Sequence, residues 1–199
     1  MIATLRLRGT AVFTPGSAPD TSFVPPLQRR RMSPVQRIAF SLARLVSEGE
    51  TPPYAIHFSS KNGEWSQYHK LAECYNADGS VSPGRFSSSV FNASPGLYSI
   101  LTGNQASYSA LAADEETLES GLLDALLDNG PRLWIYADET DGGCGAAAFF
   151  AENGPGQTVS LETGTFDTAP LRFEDLRAFL EGTLQILSGR NLRLARQIS

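Results

Sequence analysis

Five residues have types that invite a chemical reading: Cys74, Cys144, His57, His69 and Asp114. Gly142-Gly143-Cys144-Gly145 sets a thiol in a glycine turn. A nucleophilic thiolate needs a histidine or a helix N-terminus to lower its pKa. The run Ala146-Ala147-Ala148-Phe149-Phe150, just beyond Cys144, has the pattern of a strand, so the turn reads as the lead-in to that strand. Cys74 falls on a predicted helix, where a small packed thiol is the ordinary occupant. His57 lies inside an apolar strand and reads as a core histidine, and His69 lies on a helix face beside Lys70. Two histidines and two scattered cysteines show no metal-ligand spacing. Neither GxGxxG nor GxxxxGK[ST] occurs. No metal and no cofactor is expected.

Asp114 comes after Ala112-Ala113 at a predicted strand-to-helix junction. Such junctions aim side chains and backbone N–H groups at one point, which is why nucleophiles often stand there. An aspartate there is also a plain helix cap, worth about 1 kcal/mol. Both readings stay open from the residues alone.

The elements that must hold these residues alternate. Leu5 to Phe13 reads as a first strand, and Thr14 to Pro26 as a loop carrying Pro15, Gly16, Pro19, Pro25 and Pro26. Ser33 and Pro34 open a helix at its N-cap and first position, and Val35, Ile38, Ala39, Phe40, Leu42, Leu45 and Val46 give it an apolar stripe. Gly49 and Pro52-Pro53 end it. Tyr54 to Phe58 reads as a buried strand. Trp65, Tyr68, Leu71, Ala72 and Tyr75 mark a second helix, stopped at Asn76 to Gly79. Phe86 to Val90 reads as extended, and Gly96 to Leu101 as a short helix. Ala106 to Leu111 is a strand leading to a helix with Leu118, Leu122, Ala125 and Leu126 on one face, and Asp114 as its cap. Leu133 to Ala137 and Ala146 to Ala151 are strands, and Thr158 to Glu162 pairs as a hairpin with the second of them. A last helix puts Phe173, Leu176, Phe179, Leu180, Leu184 and Leu187 on one face. The order implies an α/β fold, a mixed sheet flanked by helices.

The 199 residues suffice for one domain with a sizeable core. A hydrophobic share of 41% and a charged share of 19% exclude a disordered chain. The net charge of −5 is the wrong sign for a nucleic-acid binder. Arginines interrupt the first residues where a signal peptide needs an apolar run, and no stretch approaches a membrane span. Two cysteines make no disulfide framework, so a cytoplasmic location is expected.

Phe58 to Glu64, Val81 to Ser87 and Ser89 to Ile100, in that order and spacing, resemble the small β-ketoacyl-synthase-like, chain-length-factor-type proteins of aryl-polyene and related type II polyketide or fatty-acid synthesis. Arg29-Arg30-Arg31-Met32-Ser33 resembles that family's basic lead-in to its first helix. The resemblance runs from about Gln28 to Glu139. It implies the N-terminal half of the thiolase-like ketosynthase fold. After Asn153 the sequence departs from that pattern; one domain over 1–199 is expected, with a thiolase-like core over 1–153 and a terminal hairpin and capping helix over 154–199.

In a catalytic ketosynthase the strand corresponding to Ala106–Leu111 leads to the nucleophilic cysteine, which here falls at about Asp114. A carboxylate cannot hold an acyl chain as a thioester. The histidines that complete ketosynthase chemistry lie in a C-terminal half that this sequence does not resemble. The resemblance therefore implies a non-catalytic subunit, not an enzyme on its own, paired with a catalytic ketosynthase. Such a chain need not be stable without its partner. Phe91, Asn92, Ser107, Tyr108, Ser109, Leu111 and Asp114 are the expected interface and tunnel residues. Arg29, Arg30 and Arg31 are either a solvated run or a contact for an acidic acyl carrier protein. Two alternatives stand beside this: a free-standing acyl-binding scaffold, and a small thioester enzyme using Cys144.

Overall fold

A computed structural model describes residues 2–13, 16–140, 143–153 and 158–197. Thr14 and Pro15 of the expected loop, Gly142, and Gly154, Pro155 and Gly156 lie outside the described residues.

The chain builds one eight-stranded mixed sheet in the order β3-β2-β4-β5-β1-β6-β8-β7. Its strands are β1 (Ile2–Val12), β2 (Ala55–Ser59), β3 (Tyr108–Leu111), β4 (Arg132–Thr140), β5 (Gly143–Asn153), β6 (Thr158–Thr163), β7 (Ile186–Ser188) and β8 (Leu192–Arg196). β2 pairs in parallel with β3 and β4, and every other pairing is antiparallel. The helices are α1 (Pro26–Arg29), α2 (Pro34–Val46), α3 (Trp65–Asp78), α4 (Pro83–Ser89), α5 (Ala93–Thr102), α6 (Thr117–Leu127) and α7 (Phe173–Leu180).

α2 forms as its residues dictate. The Ser33 hydroxyl accepts from the Gln36 N–H, and the Gln36 side chain accepts from the Ser33 N–H, a complete capping box with Pro34 at the first position. Its apolar stripe packs with Tyr98 of α5 on one face of the sheet, over Ile56, Leu133, Ile135, Ala148 and Phe150. α6 and α7 cover the other face, where Trp134 stacks on Phe149 at 5.0 Å. The helix-on-sheet-on-helix sandwich arises from strands that are apolar on both faces.

α6 comes unusually close to β2. A Cβ on Gly121 would stand 2.5 Å from the Ser59 Cβ and closer still to its Oγ, with both residues buried. Gly121→Ala is therefore expected to destabilise the fold by at least about 1–3 kcal/mol, read as a lower urea midpoint with unchanged slope.

Four expectations change. Residues 83–89 are helix and not extended, because Ser82-Pro83 opens α4. β6 does not pair with β5: β1 lies between them and pairs with both. The last helix stops at Leu180, with Gly182 beyond it at φ 84. Leu187 belongs to β7, and residues 158–197 add β6, β8 and β7 to the sheet beside α7. Asp114, finally, is no side-chain cap. It opens a 3-10 turn, Asp114–Glu116, and makes no capping hydrogen bond. The Thr117 hydroxyl caps the junction instead, accepting from the Ala113 N–H at 2.8 Å and donating to the Asp114 carbonyl at 2.7 Å.

Candidate functional site

β3 is an edge strand carrying three of the seven expected interface and tunnel residues, Tyr108, Ser109 and Leu111. The Ile56 N–H donates to the Ser107 carbonyl and the Ser60 N–H to the Leu111 carbonyl. Ser107, Ser109 and Leu111 thus turn their backbone groups to β2, and Tyr108 and Ala110 turn theirs outward. Tyr108 is exposed, as is Ile100 on the neighbouring α5 at 74%. An edge of free N–H and C=O groups beside large apolar side chains has the makings of an interface.

At the end of β3, Asp114 takes φ 47 and is the one non-glycine residue at positive φ among the described residues. That backbone costs about 1–2 kcal/mol and is the kind of strain that marks strand-to-helix junctions of functional sites. The side chain is 81% exposed and pairs with the Lys61 ammonium at 3.1 Å, which also holds Glu115 at 2.5 Å. Glu115 first, then Asp114, raise the Lys61 pKa. The junction thus displays a carboxylate held by a cation, on a turn reading Ala112-Ala113-Asp114-Glu115-Glu116 without a thiol.

The loop bearing Lys61 is fastened from below. Asp138 of β4 accepts from the Ser60 hydroxyl at 3.0 Å and the Asn62 N–H at 2.9 Å. Gly63, at φ 59, leaves room for Phe91, whose ring would stand 2.7 Å from a Cβ there. Phe91 meets Phe58 edge-on. Asn92 and Tyr108 line a cleft of about 430 Å³ between α4, α5 and β3, with Leu97 and Ile100 as apolar walls. Gly96 admits the ring: the Tyr108 hydroxyl lies 3.2 Å from where its Cβ would be. The structure therefore brings Asn92 and Tyr108 together and sets Phe91 behind the Lys61 loop. Ser109 instead points its hydroxyl to Asp124 of α6 at 2.7 Å.

His57 is the satisfied core histidine that the sequence indicated. Its Nδ1 meets Asp124 at 2.7 Å and its Nε2 meets Asp128 at 3.2 Å. The Gly130 N–H first, and then His57, hold the Asp128 carboxyl below the usual range. With both ring nitrogens engaged, His57 has none to offer as a base. It lies under α6, whereas Cys144 packs on the α2 face, so the sheet separates them. Burial, then Glu139 and Asp138, push the Cys144 thiol pKa up, the opposite of activation. Cys74 is half-buried and accepts from Arg85 at 3.1 Å, and His69 packs on Trp65. Among the described residues no group of three or more metal-ligating side chains converges, and no helix is long and apolar enough to cross a membrane.

Glu64, before α3, is buried at 4% exposure. One carboxyl oxygen accepts from the Ser94 hydroxyl at 2.7 Å, and the other has no partner. Burial raises its pKa, against the hydrogen bond from Ser94. A carboxyl whose folded pKa lies above its unfolded value stabilises least once ionised. Stability is therefore lost as pH rises from the ordinary carboxyl range through the folded pKa. Glu64→Gln should melt with wild type at about pH 4 and above it at about pH 8, as followed by circular dichroism.

Lys70 and Arg85 were not singled out from the sequence, yet they line one cavity together with Arg30 and Arg31. Their signal was available: Ser82-Pro83 opens a helix, and a helix there turns Arg85 toward α3.

The family described as β-ketoacyl synthase, N-terminal domain, matches residues 8–139, from before the resembling stretch to the same end. No curated protein matches the sequence. Among solved structures, a chain of the ketosynthase (ApeO) in complex with its chain length factor (ApeC) from Xenorhabdus doucetiae superposes with a TM-score of 0.73. It is 20% identical, and the match covers 98% of this chain and 99% of that one. A β-ketoacyl synthase from Burkholderia phymatum STM815 superposes with a TM-score of 0.60 at 14% identity, covering 82% of this chain and 56% of that one. The mixed sheet between helix layers, with a strained junction at the end of its edge strand, is thus the thiolase-like ketosynthase fold, and the chain belongs to the β-ketoacyl synthase N-terminal domain family.

Proposed function

We propose that this protein is a non-catalytic, chain-length-factor-type subunit. It pairs through the β3 edge with a catalytic ketosynthase and shapes the tunnel into which the acyl chain grows. The observation that carries this is Asp114. At the junction where the family's chemistry calls for a thiolate, the chain keeps a strained backbone and presents a carboxylate paired with Lys61. A carboxylate forms no thioester, so the decarboxylative condensation has no acyl carrier here. The exposed β3 edge, and a cleft beside it holding Asn92 and Tyr108, support a partner that would complete a tunnel wall. The end-to-end similarity to a chain of a ketosynthase–chain length factor complex supports the same reading. Arg29, Arg30 and Arg31 then face an acidic acyl carrier protein, and the complex works in the cytoplasm.

The test is co-expression with each ketosynthase of the same organism. A stoichiometric complex with one of them is expected, elongating acyl chains in which only the ketosynthase subunit becomes acylated. Absence of any such complex, or acyl label on this chain, overturns the proposal.

A further inference from the structure

In a chain of net charge −5, cations gather at one place. Arg30 and Arg31 beyond α1, Lys70 of α3 and Arg85 of α4 line a cavity of about 690 Å³, against which Glu73 is the one acid. These four cations form no ion pair among those found in the described residues. Arg85 spends a hydrogen bond on the Cys74 sulfur, a weak acceptor, at 3.1 Å. Cations left unpaired together repel one another and are relieved by an anion.

The cavity does not end there. It shares Arg31, Met32, Gly84 and Ser88 with the apolar cleft that runs on to Leu97, Ile100 and Tyr108. Cations are thus concentrated at one end and apolar side chains at the other, at volumes usual for small-molecule sites.

We infer that the two together bind one soluble, single-chain phosphate ester: its phosphate among Arg31, Lys70 and Arg85, its apolar chain along Leu97, Ile100 and Tyr108. The guanidinium forks of Arg31 and Arg85 suit phosphate oxygens, and Lys70 adds a point charge. A single cleft takes a single chain, which separates this ligand from a two-chain membrane lipid. The inference rests on the chain-length reading only for sharing its cleft; the phosphate head is read from the cavity itself and needs no ketosynthase.

The test is titration of octyl phosphate, below its micelle concentration, into the full chain, alone or with its co-purified partner, by calorimetry. One site is expected, weakened when NaCl is raised from about 50 to 500 mM. The double variant Lys70→Ala/Arg85→Ala should weaken it at least about tenfold. Ile100→Asp should weaken octyl phosphate by a similar factor and leave inorganic phosphate unchanged. Circular dichroism confirms that these exposed substitutions leave the fold intact. Equal affinity for octyltrimethylammonium, unchanged binding by the double variant, or binding to phosphatidylglycerol vesicles that octyl phosphate does not displace overturns the inference. Because the readout is ligand affinity, its failure is distinct from failure to find a ketosynthase partner.

Discussion

Glu119→Ala is expected to lower stability by about 3–5 kcal/mol and to release the C-terminal hairpin. Glu119 sits in the first turns of α6 at 1% exposure. Its carboxylate accepts from the backbone N–H groups of Arg190 at 3.0 Å, Leu192 at 3.2 Å and Asn191. Three donors at the turn between β7 and β8 thus converge on one buried acid from 71 to 73 residues away. Arg190 adds a second tie, to the 3-10 turn just before α6, through Glu116 at 2.5 Å. Truncation leaves the buried Leu192 N–H and the half-buried Arg190 and Asn191 N–H groups without their shared charged acceptor, which is costlier than losing three exchangeable bonds. At the scale of a domain of about 200 residues the loss amounts to a fall in Tm of about 10 °C. Amide hydrogen exchange should speed first at residues 186–196. Gly189 belongs to the same device: a Cβ there would lie 2.6 Å from the Glu119 carboxyl carbon. If Glu119→Ala melts like wild type, the clamp carries no load.

Ala110→Pro is expected to abolish association with a ketosynthase, raising Kd at least about a hundredfold. Ala110 turns its backbone outward on the β3 edge, so proline removes a donor from the outer ladder without touching the bonds to β2. Tyr108→Glu is the companion variant. It keeps the backbone intact and puts a charge where the edge offers an exposed ring. Both chains should keep the wild-type far-ultraviolet spectrum and fail in co-purification. If both still co-purify at wild-type yield, the partner docks elsewhere, and the β3 part of the proposal falls while the non-catalytic reading of Asp114 stands.

Local signals made much of this fold legible. α2 was readable to its cap because Ser33, Pro34 and the apolar stripe all agree. β2, β4 and the core of β5 were readable as apolar runs bounded by turns. The β7–β8 hairpin, and the places of β1 and β6 in the strand order, were not. Leu184 and Leu187 continue the helical spacing of α7, and only the positive φ at Gly182 and the pairing of Leu187 with Leu194 reveal a strand. β1 slips between β5 and β6 by contacts some 150 residues apart, which no window of sequence contains. Around Asp114, the strand and the strand-to-helix junction after it were readable as elements. The Lys61 partner of Asp114 was not, because a lysine in a polar loop resembles any other. Glu119 was hidden for the opposite reason: an acid in a first helical turn looks like a solvated complement to the helix dipole.

The central placement of β1 has a consequence for how the chain is made. β1 is made before the other strands of this sheet, yet its two neighbours are β5 and β6, and β5 begins only at Gly143. At about 5–20 residues per second the strand waits roughly 7–30 s with both hydrogen-bonding edges open. Arg6 and Arg8 alternate with Leu5 and Leu7 along it, and in the finished sheet they pair with Glu152 and Glu50. During synthesis those acids are distant or not yet made, and the two arginines act as charged guards that keep one nascent chain from zipping onto another.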